Sequence, residues 1–429
     1  MAALMLGGLD AIAAPAAETA APLPAPSSAA QQLYSSAKND ILQVRVLLKS
    51  GRTQSSVGSG FLIGTSKLVL TNYHVVSQFA LNPETYVGEW VDTGGQRGAV
   101  ELLAVDVLHD LAVLRVSRNG TGFFKVPAKL APLTQGQYLY SLGNPLDLGF
   151  AISEGSYNGI VTRSFYDQLM FTGPINAGMS GGPSVTVNGD VAGVNVSKRL
   201  DGELVSFLVP ARYAQDLLNL VARQSTPPKD FKPLVTEQLL AHQSVMVERL
   251  LAAPLTLKAM GPYLVPVRES DQMRCWGRSN VKADTPLMVD NANCAMESAI
   301  FISGTLQTGQ IAMRHEFLRS TTLGPLRFSA LASAAFKNED FGNYKDAQLT
   351  GPQCTEQFVK NKNLPLRAVL CVRAYRKFAG LYDFALLTAS TDSAMMSLQS
   401  RLDAHGVSYD NGMRSARIFL DALGRASKP

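Results

Sequence analysis

The sequence predicts a mainly β protein, an antiparallel barrel or sandwich followed by a second domain that mixes helices and strands. From about residue 33 to residue 208, short β-type runs are broken by Gly, Asn and Asp, which is typical of antiparallel strands. A proline-rich stretch, QSTPPKDFKP, then separates this half from one that alternates helical and strand-like runs. A chain of 429 residues is long enough for two or three hydrophobic cores.

Hydrophobic periodicity places the individual elements. In the first half the expected strands are 41–48, 60–71, 99–105, 111–116, 138–142, 159–163 and 191–196. Helices are expected at 211–223, 236–253 and 410–423. The later strands are expected at 299–306, 311–318, 326–334, 366–375 and 382–390.

Four segments follow from this pattern. We expect a leader and Ala/Pro-rich tether over 1–32, a first domain over 33–223, a linker over 224–234 and a C-terminal α+β domain over 235–429. An apolar run and small residues near the start resemble an export signal, although Asp10 interrupts the run and no Lys or Arg precedes Lys38. The protein is therefore expected in the periplasm or outside the cell.

Charge and hydropathy exclude two classes of partner. The formal net charge is +5, without the basic runs typical of nucleic-acid binders. No later segment is long and apolar enough to span a bilayer. We expect no nucleic acid partner, no integral membrane span, no metal and no cofactor.

All four cysteines lie in the C-terminal half, and they form no Cys-x-x-Cys motif. An even number of cysteines in an exported chain favours disulfides, with four free thiols as the alternative. Nearest-neighbour pairing closes the shortest loops and predicts Cys275–Cys294 and Cys354–Cys371.

Three motifs in the first half carry the chemistry. A serine hydroxyl is a poor nucleophile unless a base, a group that orients the base, and donors for the oxyanion surround it. His74 follows an apolar strand in LVLTNYHVV, Asp110 precedes another in HDLAVLRV, and Ser180 lies in INAGMSGGPSV. An isolated His or Asp is more often structural, and Asp106 and His109 are rival candidates.

The glycines around Ser180 are the strongest single signal. Gly178, Gly181 and Gly182 allow a sharp turn that exposes the hydroxyl. The N–H groups of Gly178 and Ser180 are the expected oxyanion donors. A glycine-rich turn alone would explain this motif. It would not explain why the His, Asp and Ser motifs all occur, in that order, in the chain.

These motifs resemble the trypsin-like bacterial proteases of the Deg, or high-temperature-requirement (HtrA), kind. The resemblance runs from about residue 57 to 210 and includes LGNPLDLGFAISEGSYNGIVTRS and the Ser180 segment. It implies a chymotrypsin-like double antiparallel β-barrel with the site in the cleft between the barrels. It also implies that His74 is the base, Asp110 its orienting partner and Ser180 the nucleophile, and it assigns Asp106 to a non-catalytic position.

The chain departs from the family in two places. Met179 stands where the family usually has Asn, and no PDZ module is recognisable after residue 233. The resemblance also implies a primary specificity pocket built from Pro174 and from the strand residues Val194, Asn195 and Val196. None of these is acidic, so the pocket is expected to take small or medium apolar side chains rather than Lys or Arg.

The sequence thus indicates a serine endopeptidase that cleaves proteins or peptides through an acyl-enzyme, in protein quality control or processing in the cell envelope. The alternative is a non-catalytic or chaperone-like protein that keeps a protease fold and acts through its C-terminal domain. An esterase is disfavoured because its Gly-x-Ser-x-Gly elbow precedes the His in the chain. An oligomeric or partner contact through the C-terminal domain is left open.

Overall fold

The computed structural model describes residues 27–145, 148–161, 163–198, 205–282, 285–335 and 347–426. The expected leader, and the tether up to residue 26, lie outside these described residues. No helix in the described ranges is long and apolar enough to cross a membrane.

The first unit is a seven-stranded antiparallel sheet with two helices. Its strands run in the order β5-β4-β1-β2-β3-β7-β6. Its elements are α1 (Ser28–Ala37), β1 (Ile41–Leu48), β2 (Gln54–Leu62), β3 (Leu68–Thr71), α2 (Tyr73–Leu81), β4 (Tyr86–Val91), β5 (Arg97–Ala99), β6 (Glu101–Asp106) and β7 (Leu111–Arg115).

The second unit is a closed six-stranded antiparallel barrel, in the order β10-β13-β12-β11-β8-β9. Its strands are β8 (Tyr138–Gly143), β9 (Ala151–Ile160), β10 (Leu169–Phe171), β11 (Pro183–Val185), β12 (Val191–Lys198) and β13 (Ser206–Pro210). Two helices follow, α3 (Ala211–Arg223) and α4 (Lys232–Leu251).

The C-terminal unit is built on a second seven-stranded sheet, in the order β16-β17-β20-β24-β23-β22-β21, beside a three-stranded sheet β14-β15-β25 and a hairpin β18-β19. Its strands are β14 (Thr256–Met260), β15 (Tyr263–Val267), β16 (Met273–Ser279), β17 (Met288–Met296), β18 (Ile300–Ser303), β19 (Leu306–Thr308), β20 (Gln310–Arg319), β21 (Gln353–Asn361), β22 (Leu364–Ala374), β23 (Tyr382–Ser390), β24 (Met396–Val407) and β25 (Gly424–Arg425). Its helices are α5 (Pro325–Ala335) and α6 (Tyr409–Ala422).

The first sheet shares a hydrophobic cluster with the C-terminal half. Strand and α2 residues such as Val44 and Val76 pack in one buried cluster with Leu239 of α4, Ile302 of β18 and Phe378. Polar contacts reinforce this junction, since the side-chain amide of Gln238 donates to the Val105 carbonyl and accepts from the Val107 N–H. The two halves are therefore packed against each other over an apolar surface.

The predicted fold class is confirmed in that the chain is mainly β, with a closed antiparallel barrel and a further unit of β-sheets and helices. Of the two barrels expected, the second is a closed barrel and the first is a seven-stranded antiparallel sheet. The helix at 211–223 and the strands at 41–48 and 382–390 have the predicted bounds. The domain bounds stay a prediction, although α1 begins at Ser28 inside the expected tether, and α4 begins inside the expected linker.

Among the predicted strands, 326–334 is wrong because these residues lie in α5. The single strands predicted at 60–71 and 299–306 are each divided by a turn, between β2 and β3 and between β18 and β19. The segment PLRFSALASAA is rich in alanine, the best helix former, and its proline stands at the first helical turn. Phe328 and Ala332, four residues apart, pack on Leu318. The apolar run is thus explained by one face of a helix.

Both predicted disulfides are confirmed, Cys275–Cys294 and Cys354–Cys371. Each joins residues directly opposite each other in an antiparallel pair, β16 with β17 and β21 with β22. Strands β16 and β21 are the two edges of the C-terminal sheet. Each bridge therefore fastens an edge strand to its inner neighbour.

We expect the double substitution Cys354→Ser, Cys371→Ser to lower the free energy of unfolding by about 3 kcal/mol, because a bridge closing a loop of this size removes chain entropy from the unfolded state. The loop spans 17 residues, and that of the other bridge 19. Guanidinium unfolding measures the loss. The Cys275→Ser, Cys294→Ser variant removes the other bridge, and its free energy of unfolding should fall by a similar amount because the two loops have similar lengths. Unchanged stability in both would contradict a structural role for the bridges.

Candidate active site

Helix α2 carries His74 in its first turn, and Asp110 holds that turn in place. The Asp110 carboxylate accepts a hydrogen bond from the His74 backbone N–H at 2.8 Å. Its backbone carbonyl accepts from the Tyr73 N–H at 3.1 Å and from the Asn72 side-chain amide at 2.7 Å. A carboxylate in this place satisfies a free N–H of the helix and complements its dipole.

Asp110 adopts a left-handed backbone conformation, with φ of 56°. Non-glycine residues rarely adopt it, although Asp tolerates it better than most. The turn lies between β6 and β7, and it lets one residue present both its carboxylate and its carbonyl to α2. Such conformations are concentrated at functional sites.

The same carboxylate fixes the imidazole. Nδ1 of His74 lies 2.6 Å from Oδ2 of Asp110, so Nδ1 carries the proton and Nε2 keeps a free lone pair. Burial disfavours the charged ring most strongly, but the charge of Asp110 and its hydrogen bond together outweigh burial and hold the pKa of His74 above its ordinary value. His74 is therefore arranged as an oriented base.

Ser180 lies on a sharp turn that leads into the barrel. Gly178 and Gly181 have φ of 91° and 85°. At Gly181 a Cβ would lie 2.2 Å from the Ser59 carbonyl oxygen, so no larger residue fits. Within the described part of the chain the Ser180 hydroxyl donates to the Val196 carbonyl at 3.2 Å, rather than to His74. Such catalytic bonds often form only when substrate is bound.

The turn before Ser180 is held by Ser59, which sequence reasoning missed. Ser59 Oγ donates to the Gly178 carbonyl at 2.7 Å and accepts from the Asn144 N–H at 2.9 Å. Among the described residues, the N–H groups of Gly178 and Ser180 have no acceptor. Their availability agrees with the expected oxyanion donors, an assignment that stays a prediction.

Met179 points into the barrel. It is 2% exposed and packs with Leu139, Phe171 and Ile175. The side-chain amide of Asn195 donates to the Met179 carbonyl at 3.2 Å. Met179, at the position where the resemblance led us to expect Asn, thus contributes apolar packing inside the barrel directly before Ser180.

The four predicted pocket residues have different surroundings. Val194 lies in the buried core between the first sheet and the barrel. Asn195 is fully buried and also accepts from the hydroxyls of Ser141 and Ser184 at 2.8 Å. Pro174 is exposed, and Val196 lines the cleft beside His74. The pocket role stays a prediction, and of the three strand residues only Val196 is in a position to contact a substrate.

The rival pair also forms, with His109 Nδ1 2.6 Å from Asp106 Oδ2. The other carboxylate oxygen accepts the Leu108 and His109 N–H groups, so Asp106 closes a tight turn. The His109 ring is stacked on Tyr213, with ring centroids 3.6 Å apart. The turn and the stacking give the Asp106–His109 pair a structural role.

The C-terminal half contributes to the same cleft. The ring of Phe301, in β18, contacts the ring of His74 edge to face, with centroids 5.9 Å apart. Ile300 and Gln307 also line this cleft. No sequence motif marks these residues, because only the tertiary packing of the two halves brings them to His74.

Residues 58–194 match the trypsin-like peptidase domain family. The chain is 32% identical over 187 residues to serine protease HTRA2, mitochondrial, of Drosophila virilis, a match covering 42% of each protein. It is 29% identical over 176 residues to serine protease HTRA4 of Homo sapiens, covering 38% of the chain and 34% of that relative. A serine endoprotease structure from Yersinia pestis is 22% identical with a TM-score of 0.40, covering 47% of this chain and 70% of that one.

The chain spans less than half of the length of these two curated relatives. Over its first half, the predicted resemblance to trypsin-like proteases of the HtrA kind is confirmed.

We expect Met179→Ala to lower the free energy of unfolding by about 2–5 kcal/mol, because it leaves a cavity in the closed barrel. Met179→Leu, which nearly conserves the volume, should cost less than about 1.5 kcal/mol. Denaturant unfolding of the two variants checks the difference. Equal, negligible losses would mean that the Met179 side chain is not packed in the barrel.

Proposed function

We propose that this protein is a serine endopeptidase in which Ser180 is the nucleophile, His74 the general base and acid, and Asp110 the residue that orients His74. The observation that carries the proposal is the His74–Asp110 pair, which leaves Nε2 free at a cleft that also contains Val196, the residue bonded to Ser180. The similarity to proteases over residues 58–194 supports it.

The proposed reaction begins when the Ser180 hydroxyl turns from the Val196 carbonyl toward His74 Nε2. His74 takes the hydroxyl proton as Oγ attacks the scissile carbonyl carbon, and the N–H groups of Gly178 and Ser180 stabilise the oxyanion. His74 then protonates the leaving amine, and the C–N bond breaks to give an ester on Ser180. Water, deprotonated by His74, releases the acid product and restores Ser180.

The substrates proposed are proteins or peptides, with a small or medium apolar side chain in a pocket lined by Val196 and Pro174. Two disulfides support a role in an oxidising compartment, and we propose that the protein is exported to the periplasm or beyond the cell, with protein quality control or processing as its task.

The second candidate is a non-catalytic or chaperone-like binding protein on the same fold, acting through its C-terminal domain. One observation favours it, since the Ser180 hydroxyl is bonded to Val196 and not to the base. A fluorophosphonate probe separates the two candidates, because only an activated serine reacts. Labelling of Ser180 supports the endopeptidase, and absence of labelling supports the binding protein.

Ser180→Ala should reduce casein cleavage by about 10⁴-fold or more, because the three residues act as a unit. Ser225→Ala is the matched control, since Ser225 is exposed in the connection between α3 and α4, and it should leave cleavage unchanged. Circular dichroism should show both variants folded. Substantial cleavage by the Ser180→Ala variant would refute the assignment.

The pH dependence should distinguish the two His–Asp pairs. His74 must be neutral to accept a proton, so kcat/KM should fall as pH drops through a pKa above the ordinary value of about 6.5. Asp110→Asn removes the charge that raises this pKa. The acidic limb, the part of the profile where kcat/KM falls with decreasing pH, should therefore move to lower pH in this variant, and its maximal rate should also be lower. Asp106→Asn should leave the acidic limb in place. A limb that moves only with Asp106→Asn would make His109 the base.

A further inference from the structure

The β18–β19 hairpin of the C-terminal half forms one wall of a cavity at the catalytic cleft. The cavity has a volume of about 360 Å³. His74 and Val196 line it from the protease side, and Ile300, Phe301 and Gln307 line it from the hairpin. It is large enough for one or two amino-acid side chains.

The hairpin is fixed to the helix that carries the base. The hydroxyl of Tyr73, the residue before His74, donates to the Ile302 carbonyl at 3.0 Å. Burial, helped by the charge of Asp110, raises the pKa of Tyr73 well above its ordinary value, so this donor stays protonated. Ile302 is fully buried in the cluster that joins the two halves. Phe301 is therefore held in a fixed position against His74.

The chemistry of the cavity is mostly apolar. Leu108 and Tyr166 lie on the protease side, and Ile300 and Phe301 on the hairpin side. Its polar lining consists of His74, His109, Gln168, Gln307 and two carboxylates. Both carboxylates have partners, since Asp110 is bonded to His74 and Asp167 forms an ion pair with Arg212. A cavity of this kind favours aliphatic or aromatic side chains over charged ones.

The position of Val196 relates the cavity to the substrate chain. Val196 is the bulged residue of β12, out of register with β13, and its carbonyl is bonded to Ser180. Val196 is also predicted to line the primary pocket, which takes the side chain of the residue whose carbonyl is attacked. The cavity extends from Val196 to His74 and Phe301, so it is placed for residues that precede the scissile bond.

We propose that Phe301 is a specificity-determining residue, the wall of a subsite that binds an apolar substrate side chain one or two positions before the cleaved residue. This inference rests on the proposed endopeptidase function. It gives the C-terminal domain a direct part in substrate selection.

Peptide libraries varied at the two residues before the cleaved position test the proposal, using the full chain. Phe301→Ala widens the subsite, so the ratio of kcat/KM for a Phe-containing over an Ala-containing peptide should rise about tenfold or more. Phe301→Trp narrows it, and the same ratio should fall. Phe358→Ala is the matched control, a change of the same kind at an exposed residue of β21, and it should leave the ratio unchanged.

A fluorophosphonate probe, used in parallel, separates failure of this inference from failure of the proposed function. If the Phe301 variants are labelled, but every peptide gains or loses rate by the same factor, Phe301 only positions His74 or caps the cleft, and the inference is overturned. If the unsubstituted protein is not labelled and cleaves no peptide, both the proposed endopeptidase function and the Phe301 subsite are refuted. If Phe301→Ala does not fold, Phe301→Trp and Phe301→Leu provide the same ratio.

Discussion

The position of the candidate base depends on one carboxylate. Asp110 bonds both the imidazole and the backbone N–H of His74, while its carbonyl holds Tyr73 and Asn72. Asp110 therefore fixes the orientation of the His74 ring and of helix α2 at the same time. It can do so because its backbone adopts the left-handed conformation at the end of a turn. Because the hairpin of the C-terminal half holds the same helix through Tyr73, the base lies between two independent supports.

The candidate nucleophile, Ser180, has a separate support inside the closed barrel. Met179 packs among apolar side chains there, Asn195 bonds its carbonyl, and Ser59 bonds the carbonyl of Gly178 from the first sheet. The turn that carries Ser180 is thus held by residues of both units. If the N–H groups of Gly178 and Ser180 are the oxyanion donors proposed above, a turn held in this way needs no rearrangement when charge develops on a substrate.

Features that are local in the sequence could be predicted from it. The cysteine pairs lie close in the chain and are confirmed. The motifs of His74 and Asp110 each combine a strand end with a chemically distinctive residue, and the structure brings these two side chains together, while their catalytic roles stay a prediction. Helix α2 was missed because YHVVSQFAL is as apolar as a short buried strand, and its start is fixed by Asp110, distant in sequence. The strand predicted at 326–334 is wrong for the same reason, because a continuous apolar run fits a short helix as well as a strand. The contact of Phe301 with His74 could not be predicted, because it joins parts of the chain that are more than 200 positions apart; the neighbouring Tyr73–Ile302 hydrogen bond spans 229 positions.

The buried cluster common to the first sheet and the C-terminal half also bears on how such a chain can be divided. A protease that carries its accessory domain on a flexible tether can lose or exchange that domain without exposing its core. Here removal would uncover the apolar side chains that now face Leu239, Ile302 and Phe378. The two halves are therefore packed as one unit, and any replacement of the C-terminal half would have to supply a matching apolar face.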